Sequence, residues 1–136
     1  MEFIKAPDIK KNIRKILKVL PLSYIRVSKI HCMRSFGSKS RARARIWSFP
    51  RVWQMALKEK PNYIIEVLSE KFDHLSDDNK ERVLIHELMH IPQSFGGGFK
   101  HHNVVTDRNV NKCYEVYLKC RRDGARINWF KEMKKK

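Results

Sequence analysis

Long apolar runs are missing from this chain. No stretch approaches the roughly 20 apolar residues needed to cross a bilayer. The opening MEFIKAPDIKKNIRK has neither an apolar signal core nor a small-residue cleavage site. The expectation is therefore a cytoplasmic protein with no membrane span. Cysteine is scarce as well. Cys32, Cys113 and Cys120 form an odd set without CxxC spacing, which argues against a disulfide framework and for reduced thiols. Cys113 and Cys120 stand seven apart on one helical face and read as packing residues. Internal repeats are absent, and the only biased tract is the short basic end FKEMKKK. Acidic residues are few: 14 Asp and Glu stand against 30 Lys and Arg, a net charge of +16. That balance favours phosphate-rich partners or an anionic surface and says nothing about the fold.

What is present suits one domain. The 136 residues suffice for a single core, and 42% of them are hydrophobic. Residues 8–20 predict an amphipathic helix after Pro7, with Ile9, Ile13, Ile16, Leu17 and Leu20 on one face and Pro21 as its end. From Tyr24 to Leu68 the pattern turns to strands. YIRVSKIHCM is rich in β-formers, and FGSKS supplies a turn. RARARIWSF alternates, with Arg41, Arg43, Arg45, Trp47 and Phe49 on one side and Ala42, Ala44 and Ile46 on the other. RVWQMALKEKP fits either a strand or a short helix, and NYIIEVL predicts a strand at the sheet edge. A helix capped near Ser76 runs to Pro92, and another covers about Thr106 to Arg121. The expected organisation is an N-terminal helix over 1–21, a domain over 22–121 and a basic tail over 122–136.

Four of the six histidines lie in IHELMHIPQSFGGGFKHH, residues 85–102. His86, Glu87 and His90 form H-E-x-x-H. Residues four apart on a helix face the same way, so both imidazoles can reach one metal ion. Glu87, one position along, can take a proton from an activated water and pass it to a leaving amine. Imidazole nitrogen suits Zn2+, and a catalytic zinc needs a third protein ligand besides water. Gly96 occupies the place where a short-spaced metzincin would put that ligand, so that pattern is rejected. His101 and His102 remain, with Glu66 and Asp107 as more distant carboxylates.

HELMHIP, a glycine-containing loop and HHNVV together resemble a metallopeptidase family of phages and some prokaryotes. The likeness covers roughly residues 22–120 and is specific across the motif helix and the following loop. It implies zinc held by His86, His90 and a third histidine, with Glu87 as general base and a peptide or protein substrate. The His-Asn step makes His102 the better match than His101. The layout is also similar to SprT-like and minimal gluzincin proteases. The expected fold is accordingly α+β and zincin-like: N-terminal helix, small mixed sheet, H-E-x-x-H helix and C-terminal helix. Such enzymes bind extended peptides along a sheet edge.

The basic surface supports a second reading, a nucleic-acid-binding protein with a structural or vestigial metal site. Arg41, Arg43 and Arg45 on one strand face would give DNA or RNA contact that is independent of sequence and dependent on salt. Trp47 and Phe49 read as core beneath the N-terminal helix. His31 and His74 stand alone and read as packing or capping residues.

Overall fold

A computed structural model of the protein describes residues 1–20, 22–92, 94–96 and 105–123. The chain runs β1 (Glu2–Lys5), α1 (Pro7–Val19), a 3-10 turn (Val27–Lys29), β2 (Ile30–Phe36), β3 (Ala44–Ser48), α2 (Arg51–Leu57), β4 (Tyr63–Leu68), α3 (Ser69–Phe72), α4 (Asp77–Met89) and α5 (Asp107–Asp123). The four strands form one mixed sheet in the order β1-β2-β4-β3. β2 and β4 are parallel, and the outer strands are antiparallel to their neighbours. The architecture is α+β, as the patterning predicts, and fits a small zincin-like domain.

Register determines which residues share a face. Ile30, Cys32, Ala44, Ile46, Tyr63, Ile65 and Val67 line one side, and α1 and α4 pack over it. All but Ile46, which is half-buried, are fully buried there with Ile9, Ile13 and Ile16 of α1 and Leu84, Ile85 and Leu88 of α4. Helical spacing of apolar residues on α1 thus meets strand alternation on the sheet, and the shared surface is the core. Lys10 fastens α1 to the start of β2 by donating to the carbonyls of Val27 and Ile30. Arg34 bridges Asp8 on α1 at 2.8 Å and Asp73 after α3 at 3.1 Å.

Three strand expectations need correction. NYIIEVL does not form an edge: β4 lies between β2 and β3, and the edges are β1 and β3. The strand expected over YIRVSKIHCM, β2, starts only at Ile30, because residues 27–29 form the 3-10 turn. Trp47 is not core beneath α1. It is 49% exposed and pairs with Ile64 on the sheet face opposite the helices.

Trp47 is held there by a buried acid. Glu66, 1% exposed, accepts from the Trp47 indole at 2.9 Å, from the Arg45 guanidinium at 3.0 Å and from the Ser35 hydroxyl at 2.5 Å. Burial alone would raise the Glu66 pKa, but these three donors outweigh it and hold the carboxyl below its usual value. A carboxylate depressed by folding contributes stability above its unfolded pKa and loses it as pH falls through the folded value. Glu66→Gln should therefore cost about 2 kcal/mol at pH 7, from lost charge-assisted hydrogen bonds. The deficit should shrink below pH 4. Urea midpoints at pH 7 and pH 3 check this, and equal midpoints for the two proteins at pH 7 would refute it.

Candidate active site

The motif helix α4 starts cleanly. Ser76 caps it by accepting from the Asn79 amide at 3.2 Å, and Asp77 and Asp78 complement the positive end of the helix. Leu84, Ile85 and Leu88 bury one side in the core. The other side opens on a cleft of about 1190 Å³, to which α4 contributes Arg82, His86, Glu87 and His90. The helix ends at Met89. His90 is its cap residue and keeps right-handed helical angles, φ −72 and ψ −16, so it stays one turn beyond His86.

The two imidazoles are close. Their ring centres lie 5.1 Å apart with planes at 50°. Two imidazoles sharing a tetrahedral zinc at about 2.0–2.1 Å per nitrogen hold their ring centres about 5 Å apart. The pair thus fits two of the three protein ligands of a catalytic zinc. His90 and Glu87 are 6% and 8% exposed, while His86 is half-buried. Burial pushes the Glu87 carboxyl up to about 8.

Beyond the helix the chain turns at Pro92, whose carbonyl accepts from the Phe95 amide at 2.9 Å. Phe95 has a left-handed backbone, φ 49, a conformation disfavoured for a bulky side chain. Its ring is buried edge-on against Tyr63 at 5.0 Å, and this packing offsets the local strain. The turn is thereby docked on the first residue of β4.

The opposite wall of the cleft is the segment Arg41–Ile46, and Asp107 and Val110 of α5 close one end. Arg121 of α5 pairs with Glu81 of α4 at 2.9 Å, and Arg82 lies 4.7 Å over the Tyr114 ring. These contacts fix the two helices against each other.

The structure therefore brings His86, Glu87 and His90 together on one wall. His101 and His102, the two histidines open as third ligand, lie outside the described residues. Among the described residues, no three His, Cys, Asp or Glu converge as a metal-binding group. Glu66 sits on the far face of the sheet with its oxygens engaged, so it is no ligand. Asp107 does line the cleft. His31 bonds Asn62 at 2.9 Å, and neither it nor His74 borders the cleft. Arg82 escaped the reading of the sequence, although it precedes His86 by four residues and shares its helical face.

The sequence model of one family, described as "Putative phage metallopeptidase", matches residues 1–128. No curated protein and no solved structure matches the chain. No helix among the described residues is long and apolar enough to cross a membrane.

Proposed function

Because the chain belongs to the phage metallopeptidase family, we propose that it is a zinc-dependent peptidase, with His86, His90 and His102 as ligands and Glu87 as general base. The observation that carries this reading is the opening of both imidazoles and the Glu87 carboxyl into one cleft beside an edge strand. Zinc, when bound, supplies Lewis acidity at the scissile carbonyl and makes water a competent nucleophile near neutral pH. The chain's residues supply the rest. Glu87 takes the proton of the attacking water and returns it to the departing amine. Leu84, Ile85 and Leu88 anchor the helix and hold the three functional side chains in register. The outer edge of β3 aligns an extended substrate by main-chain hydrogen bonds. A structural metal in a nucleic-acid-binding protein would need neither Glu87 nor an open cleft, and this favours the enzyme.

Purified protein should contain about one zinc per chain, removable by a chelator. His86→Ala, His90→Ala and His102→Ala should each lose it, since a site with three protein donors tolerates no deletion. His101→Ala should retain most of it. Metal analysis of the parent and these four variants decides the matter. A parent that carries no transition metal and takes up none from added zinc would refute the reading. Retention in His102→Ala with loss in His101→Ala would exchange the third ligand.

A further inference from the structure

The cleft wall opposite the motif helix consists of six consecutive residues, Arg41 to Ile46. Arg41, Ala42 and Arg43 lead into β3, and the unbroken run Ala44–Ile46 brings that strand's edge to the cleft, since a strand face would contribute only every second residue. Arg41 and Arg43 are exposed just before this edge, and Arg82 is exposed on the α4 wall. Among the described residues, no carboxylate pairs with any of the three. Arg45 differs, because its charge is balanced by Glu66. Besides Glu87, the only acid lining the cleft among the described residues is Asp107.

Three cations thus flank the cleft against one carboxylate outside the catalytic machinery. A charged cleft with low-dielectric walls concentrates ligands of opposite sign. A peptide strand paired with β3 would run on past Arg41 and Arg43, which lie immediately before that strand. Its flanking residues would meet Arg82 from the helix side. A phosphate backbone could answer the arginines but not the amides and carbonyls of a strand edge, whereas a peptide answers both. Resting on the peptidase reading, we infer that the cleft selects peptides bearing acidic residues on either side of the strand-paired segment. Arg41, Arg43 and Arg82 are the specificity-determining residues.

The test separates binding from cleavage. Fluorescein-labelled decapeptides with one apolar centre and flanking Glu, Gln or Lys pairs are titrated against Glu87→Gln protein and followed by anisotropy. The parent is assayed for cleavage of the same peptides. The Glu peptide should bind about tenfold tighter than the Gln peptide at low salt, since several partly screened charge pairs contribute modestly each. The advantage should fade as salt shortens the screening length. The triple change Arg41→Gln, Arg43→Gln and Arg82→Gln should abolish the preference, and the corresponding triple Lys variant should largely restore it. Equal binding of the three peptides overturns the inference. So does an unlabelled single-stranded oligonucleotide of equal charge that displaces the Glu peptide more strongly than unlabelled Glu peptide does, which would assign the arginines to nucleic acid. Preferential, arginine-dependent binding of the Glu peptide with no cleavage of any peptide by the parent upholds the selectivity and defeats the peptidase reading.

Discussion

Glu87→Gln protein is expected to keep its zinc and to lose peptide hydrolysis by about a hundred- to ten-thousand-fold, the usual worth of general-base assistance. The substitution preserves side-chain size and leaves His86 and His90 untouched, so the donor pair with ring centres 5.1 Å apart stays intact. Only the proton acceptor disappears. Glu87 is 8% exposed, and a neutral amide in that place removes a buried titratable group, so folding stability should not fall. The decisive measurement sets kcat/KM beside zinc content for the same preparation. Loss of rate with loss of metal would mean that the variant damages the ligand cluster and would leave the role of Glu87 to a second variant, Glu87→Asp. That variant keeps a carboxylate but retracts it by one methylene, and should recover part of the rate if the base is the missing element. Cleavage by Glu87→Gln at the parental rate would show the mechanism to be wrong.

Ile13→Ala is expected to have the largest effect on the fold, a loss of about 2–5 kcal/mol. Ile13 is fully buried at the middle of α1, where that helix meets β2, α4 and α5. Truncation removes apolar contact and leaves a cavity bounded by three secondary-structure elements that cannot all collapse into it. The same helix carries an internal control two residues on. Lys15 is exposed, and its replacement by Ala should leave the midpoint almost unchanged. Denaturant titrations of the two variants give the comparison, with an unchanged slope as the sign that folding remains two-state. An Ile13→Ala midpoint within error of the Lys15→Ala midpoint would refute the placement of α1.

How far the sequence discloses this molecule varies by element. The three long helices were legible because their apolar residues recur at helical spacing, and Pro7, Ser76 and Pro92 mark ends of α1 and α4. The Glu87–His90 neighbourhood was legible for the same reason, as spacing on a helix is local information. β1 was not. All four of its residues are exposed, so its place rests on backbone pairing with β2, which leaves no hydrophobic pattern. The position of β4 could have been read more closely. NYIIEVL is almost continuously apolar, which marks a strand covered on both sides and not an edge. Glu66 at its centre obscured that signal. Trp47 shows a further limit. Alternation placed it correctly beside Arg45, but its exposure depends on an acid 19 residues away that engages its indole, and no local pattern reveals such a partner. α2 is apolar without a buried face: Val52, Trp53, Met55 and Leu57 are all more than half exposed. The proposed third ligand rests on residues 101 and 102, which lie outside the described part of the chain.

The open edge of β3 has a consequence for the protein's behaviour toward itself. A strand edge that can receive a peptide can in principle receive the same strand from another copy, and exposed edges are routes to edge-to-edge association. Two copies meeting along this edge would each bring the exposed Arg41 and Arg43, which lead into β3, to the contact. Like charges directly opposite one another on paired strands repel, and the +16 net charge of each chain adds a long-range barrier to close approach. The arginines leading into the edge thus oppose pairing with a second copy more than pairing with a foreign strand.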